Sequence, residues 1–405
     1  MAATMMADGL PPLPFPPLAM PPDASDDFLK VFGEPLTAAL DLNSWRRSED
    51  LGELFGRLQF EVESAIAQDL PGRKAIREKA FPRLRDRPQA PPGAGAYRAS
   101  QAELDEVQRG LLFRGAVEAC NGIAVTHDAL SLSVTQVGVC LVSYHADQGS
   151  WVHRLYRRDL RTTPVNPEDL AWQLVVSAQD AADGQAAPSE RLSDLARRGL
   201  MAYAERAALV ERSTAQWRMG HGNPVAYELL TGSGSPKLML ASLGLLRRLV
   251  ADHRRFVFVP SAMVERAFLI LGDALEPLEY LIVDNATDYM ERVYYASYLS
   301  NADRKQLRQF VNEVGPQIVI GCYRASAVGP ARIFYAHVDH AHEAALIALA
   351  DSRLHEHRAF PALLDLADTL CRSTFGAGDF TAMLRDAYAV AGQPYSFHQE
   401  FGRRG

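Results

Sequence analysis

The sequence predicts a mixed α/β protein, a sheet flanked by helices. Three observations carry this. First, residues 120–144 (CNGIAVTHDALSLSVTQVGVCLVSY) contain no Lys, Arg or Glu and are rich in Val, Ile and Thr. They read as a strand at 122–125, a turn carrying Asp128, and a hairpin of buried strands ending at Tyr144. Second, short β-branched and aromatic runs recur later, at 151–160, 225–230, 256–259, 278–283, 318–322 and 331–336. Third, helical periodicity alternates with those runs, most clearly at 190–212 and 238–253.

The chain has 405 residues, 48% hydrophobic and 22% charged, enough for one large or two medium domains with a substantial core. No apolar run approaches the roughly 20 residues that cross a bilayer, and no basic segment followed by an apolar block opens the chain. A cytoplasmic protein away from the membrane is expected. Cys120, Cys140, Cys322 and Cys371 form no CxxC pair and read as buried thiols. A net charge of −7 argues against nucleic-acid binding by bulk charge and leaves room for a local basic channel. The only lysines are Lys30, Lys74, Lys79, Lys237 and Lys305, so a phosphate-binding GxxxxGK[ST] loop has almost nowhere to form.

In order, residues 1–47 form a Pro-rich tail and linker, since a segment such as GLPPLPFPPLAMPP makes neither helix nor ladder. Leu51, Leu54, Phe55, Leu58 and Val62 predict an amphipathic helix over 48–70, within a helical region extending to 112. Arg-rich residues 73–87 and Pro/Gly-rich 88–96 read as a linker, and 101–112 as a short helix. The main domain then runs over 113–405. Within 190–212, Glu205 has Met201, Ala202, Ala208 and Leu209 as its i±3 and i±4 neighbours, which puts its carboxylate on the inward face. A buried carboxylate needs a partner, usually a metal or an arginine. The later helices fall at 289–299, 341–357, 362–371 and over the last thirty residues.

Histidines concentrate at His337, His340 and His342 and again at His355 and His357. The residue types suit zinc, but HExxH is absent, and solvated or capping histidines are the simpler reading. No GxSxG elbow or GxGxxG turn is present.

Order and spacing read together give another pattern. A strand opens with Asn121-Gly122, a helix carries the inward Glu205, a polar-Gly step Thr231-Gly232-Ser233 follows, and a late helix begins Phe360-Pro361-x-Leu363-Leu364-x-x-Ala367-Asp368. Over roughly residues 115–375 this frame resembles the NurA family of DNA-end-processing nucleases. The resemblance implies an RNase H-like core, a Mn²⁺ or Mg²⁺ cofactor, DNA as substrate, a HerA-type hexameric ATPase as partner, and a homodimer. It also implies site positions at Asn121, Glu205 (or Glu211), Thr231 and Asp368. The family's acids are replaced by Asn121 and Thr231, its Arg-x-Glu strand reads Arg332-Ile333-Phe334, and its final Tyr and His are Phe360 and Asp368. Two-metal hydrolysis needs several carboxylates around cations about 4 Å apart, and neutral Asn and Thr are poor ligands for hard cations. A relocated site is possible from Asp128, Glu205, Asp284 and Asp368, with Asp128 lying a turn away from Asn121. The first reading is accordingly a metal-dependent nuclease acting on DNA ends or single strands with that ATPase, in DNA repair or phage defence. The alternative is a degenerate relative that keeps fold and docking surfaces as a DNA-binding or regulatory scaffold. Arg154, Arg157, Arg158, Arg324 and Arg332 are the candidate phosphate contacts.

Overall fold

The computed structural model describes residues 23–45, 51–127, 132–157, 195–262, 265–296 and 299–395. They fall into two units, Met1–Pro71 and Gly72–Gly405. The N-terminal unit contains α1 (Asp23–Phe32), α2 (Leu36–Leu40) and the start of α3 (Leu51–Ala75). The helix expected over 48–70 is therefore present, with Leu54, Leu58, Val62, Ile66 and Leu70 exposed along it.

The larger unit is built on a nine-stranded sheet of order β1-β7-β8-β9-β6-β5-β2-β3-β4. Strand β1 (Gly95–Arg98) lies at one edge. Residues 73–96 do not form the linker expected from their composition. Arg77 clasps Glu279 through two hydrogen bonds of 2.6 and 3.0 Å, and β1 pairs with β7 (Glu279–Asn285). Two of the arginines that suggested a linker, Arg77 and Arg87, are ion-paired to β7. Next, α4 (Gln101–Val107) starts at a capping box made by Ser100 and Glu103, which satisfies the first free N–H groups.

At the opposite edge, β2 (Val117–His127), β3 (Ser133–Ser143) and β4 (Ala146–Arg157) make an antiparallel meander. Helix α5 (Leu200–Glu211) precedes β5 (Trp217–His221), which runs parallel to β2. Then α6 (Tyr227–Thr231) and α7 (Pro236–Arg248) lead to β6 (Phe256–Val259), parallel to β5. The local order β4-β3-β2-β5-β6, with only β3 antiparallel to β2, β5 and β6, is the RNase H-like arrangement. Helices α8 (Arg266–Asp273), α9 (Thr287–Ala296) and α10 (Asn301–Val314) follow, with β7 between the first two. Strands β8 (Ile318–Arg324) and β9 (Arg332–His337) complete the sheet, and α11 (Ala341–Ser352), α12 (Ala362–Phe375) and α13 (Ala377–Val390) end it.

Alternation along β2 assigns the faces. Val117 and Ala119 belong to the core that includes α11 and α12, while Cys120 belongs to the core of the other face, with α5, α7, α9 and α10, as period-two geometry requires. The strand expected over 225–230 is a loop and a helix. Leu229 and Leu230 are buried in one turn of α6, which ends at Gly232 in a left-handed conformation with φ of 60°. A Cβ there would lie 2.5 Å from the Met239 backbone nitrogen, so this glycine closes a helix. The strand of that part of the sheet is β5 instead. Its apolar alternation is masked by Arg218, a buried guanidinium donating to the Leu209 and Ser213 carbonyls, and by Gly220, where a Cβ would meet the Phe258 ring at 2.1 Å. No helix among the described residues is long and apolar enough to cross a membrane.

Candidate functional site

The site positions converge where β2 and β5 part. Their parallel pairing stops at Cys120 and Gly220, leaving the next residues, Asn121, Gly122 and His221, at the mouth. Helix α5 covers one face here and α12 the other.

On the α12 face, Asn121 Nδ2 donates to Asp368 Oδ1 at 3.0 Å, and Asn121 Oδ1 accepts from the Gly122 amide at 3.0 Å. Asp368 Oδ2 accepts from Arg372 Nε at 2.7 Å. One turn along α12, the Cys371 thiol donates to the Asn121 carbonyl at 3.0 Å. The helix is set in place by Asp351, whose Oδ2 accepts from the Leu363 amide at 2.9 Å while Oδ1 accepts from the Tyr144 hydroxyl. Burial raises the Asp351 carboxyl to about 6. The Phe360-Pro361 step therefore marks the start of α12, and Asp368 sits on its sheet-facing side.

On the α5 face, Gly122 admits Glu205. A Cβ at position 122 would lie 2.9 Å from Glu205 Oε1 and 3.0 Å from its Cγ. Glu205 is 6% exposed, and its partner is the neighbouring Arg206, 3% exposed. Burial outweighs the field of Arg206 and pushes the Glu205 carboxyl above its ordinary value. Arg206 also donates to the carbonyls of His221 and Asn223, at 3.2 and 2.7 Å, and its guanidinium lies 5.4 Å from the Phe258 ring centre. The partner expected for a buried Glu205 is thus an arginine. Arg206 was readable, standing at i+4 from Ala202 within the same inward stripe.

His221 ends β5 in the step His221-Gly222-Asn223-Pro224. Its ring packs edge-on to Phe360 at 6.1 Å. Burial and then Arg206 hold its imidazole below its ordinary value, against the pull of Asp368. The polar-Gly step that ends the second strand is His221-Gly222, not Thr231-Gly232. Thr231 ends α6, its hydroxyl donating to the Tyr227 carbonyl at 2.8 Å.

Asp284 belongs elsewhere. It pairs with Arg87 at 2.7 Å, and β8, β9, β6 and β5 separate its strand from β2. At about 4.8 Å per strand step that is roughly 24 Å, too far to share a metal with Glu205. Asp128 and Arg158 lie outside the described residues, and Arg157 closes β4. Glu211 pairs with Arg248 at 3.0 Å on the surface.

The histidines do not meet at one centre. His337 Nδ1 accepts from the Asp339 amide, His340 faces Glu343, and His342 shares a hydrogen bond with the Tyr280 hydroxyl. Two of the candidate phosphate-binding arginines serve as staples. Arg324 donates to the Asp273, Leu275, Ser326 and Ala327 carbonyls, and Arg332 to those of Ser261, Arg358 and Ala359. Arg154 donates to Gln136 Oε1 at 2.8 Å.

The donor set can be tested against divalent cations. Glu205 is taken by Arg206, and Asp368 by Asn121 and Arg372. Among the described residues no group of three or more His, Cys, Asp or Glu side chains is placed to hold a metal ion. Hard cations need anionic oxygens with free lone pairs, so the side chains as arranged do not fit a two-ion centre.

No protein-family model and no curated protein matches the chain. Similar solved structures include the NurA nuclease from Sulfolobus solfataricus, at 9% identity and a TM-score of 0.42 over 68% of this chain and 84% of that one. Another is NurA with manganese, at 8% identity and 0.39 over 71% and 95%. A third is NurA bound to dAMP and manganese, at 6% identity and 0.39 over 73% and 95%.

Proposed function

We propose that this chain is a nuclease-fold subunit that holds DNA, or a DNA-translocating partner of the HerA type, without metal-dependent cleavage. The observation that supports this most directly is the Glu205–Arg206 pair. At the junction of β2, β5 and α5, the buried carboxylate is neutralised by a guanidinium of the same helix. Asn121 supports the reading from the other face. As a neutral amide it can donate to Asp368 and accept from Gly122 together, which an ionised carboxylate could not do. The junction is a hydrogen-bonded clasp joining α5, the sheet and α12, in DNA repair or phage defence, with a homodimer as the assembly the family resemblance suggests.

The test is digestion of labelled linear duplex and single-stranded DNA by the full chain with Mn²⁺ or Mg²⁺, alone and with a HerA-type ATPase. No cleavage is expected under any of these conditions, with partner or DNA binding retained. Cleavage abolished by Glu205→Ala or Asp368→Ala would overturn the proposal and establish an active metal centre.

A further inference from the structure

We infer that the outer face of α9 and α10 is a binding site for single-stranded nucleic acid, separate from the β2–β5 junction. The inference rests on the reading of the chain as a nucleic-acid-holding subunit and gives that function a location. Helix α10 buries Leu307, Phe310, Val311 and Val314 against the core. Its opposite stripe, Arg304, Lys305, Arg308, Gln309 and Asn312, lines a groove of about 580 Å³ with Tyr294 of α9. The spacing is that of one helical face. No acidic side chain stands among those lining residues.

Charge and aromaticity coincide here. The Arg304 and Arg308 guanidinium carbons lie 5.9 and 5.4 Å from the Tyr294 ring centre. Tyr294 meets Tyr295 edge-on at 5.1 Å, and Tyr295 is 68% exposed. Arg308 also pairs with Glu291 of α9, at 3.6 Å. With three cationic side chains in its lining, this face is locally basic on a chain of net charge −7, so its attraction for a polyanion is local. Cations beside an exposed ring suit a strand whose phosphates and base faces are both accessible. The amides of Gln309 and Asn312 can bond sugar or base edges without favouring a sequence.

Fluorescence anisotropy of labelled oligothymidylate and oligouridylate, titrated with the full chain in EDTA over a range of salt, tests this. Lys305→Glu and Arg308→Glu are each expected to weaken binding about tenfold. Neutralising both positions should lower the slope of log affinity against log salt by about 1.4, near 0.7 per phosphate contact on a single strand. Tyr295→Ala should weaken binding at all salt concentrations equally, because stacking releases no counterions. Equal losses on the two homopolymers are expected, since phosphates and ring faces are common to both. Lys237→Glu, an equal charge change at an exposed position on α7, should leave affinity unchanged. No binding by the parent chain, parent-like binding by the groove variants, or an equal loss from Lys237→Glu would overturn the inference. Because EDTA removes divalent ions, the outcome is independent of whether the junction cleaves.

Discussion

Replacing Arg206 by Met tests whether this arginine stands in for a cation at the junction. The change keeps an unbranched side chain against Phe258 and removes the charge beside Glu205, which is 6% exposed. A buried carboxylate without a partner takes up a proton rather than remain charged. At pH 7, protonating a group whose unfolded value is about 4.3 costs at most about 3.7 kcal/mol, at 1.36 kcal/mol per pH unit. Burial already raises Glu205 in the parent, so part of that cost is present there and the charge contribution of the substitution falls below this bound. The sign follows from a folded value raised further by the substitution. Its cost is absent below the unfolded value and grows as pH rises toward the new folded value. A second, pH-independent loss comes from the charged hydrogen bonds to the His221 and Asn223 carbonyls, about 1.5–3 kcal/mol each. Urea unfolding followed by circular dichroism at pH 5 and pH 7 separates the two. Arg206→Met should be more destabilising at pH 7 than at pH 5, by up to about 2.7 kcal/mol. The same substitution in a Glu205→Gln background should cost the same at both pH values. Equal destabilisation at both pH values with Glu205 present would refute the claim that Arg206 holds the ionised carboxylate.

Gly122→Ala puts a methyl 2.9 Å from Glu205 Oε1 and should cost about 1–3 kcal/mol by overpacking. The penalty should largely vanish beside Glu205→Ala when both are measured by urea denaturation. Asp351 has a folded value of about 6 against an ordinary 3.8. Its contribution is therefore fully present below 3.8 and lost as pH rises through 6, a decline of about 3 kcal/mol. Thermal melts of Asp351→Asn should lack that decline, and an unchanged pH slope would remove Asp351 as its source. Asp368→Asn leaves Arg372 without its 2.7 Å carboxylate partner. Because Arg372 is exposed on α12, stability should fall by no more than about 1 kcal/mol from that pair, read from the shift in urea midpoint.

Much of the fold was legible because periodicity alone decides it. The β2–β3 hairpin, β6, β8, β9 and the long helices carry apolar patterns that have one reading. The failures are where a residue's type points away from its role. Arg77 and Arg87 look solvated but are paired to carboxylates of β7. Arg218 interrupts β5, although it is buried on backbone carbonyls. Val225–Leu230 satisfies a strand pattern and a helical turn equally well, and the left-handed Gly232 decides for the helix. Helical phase put Glu205 inward, the family frame put Asn121 and Asp368 beside it, and the structure brings the three to one junction. His221 and Arg206 were not assigned, because a site inferred from lost acids directs attention to carboxylates, and here the cation is part of the chain.

That built-in cation bears on reversibility. A bound ion can be chelated, exchanged or starved, but a guanidinium cannot, so the geometry of this junction does not follow the ionic conditions around it. A metal centre at this junction is also out of reach of any single substitution. Asn121→Asp alone would place a second negative charge against Asp368, which like-charge repulsion opposes. Loss of Arg206 alone would strand Glu205 in the interior. Both changes would have to arrive together, with each intermediate less stable than the sequence it came from.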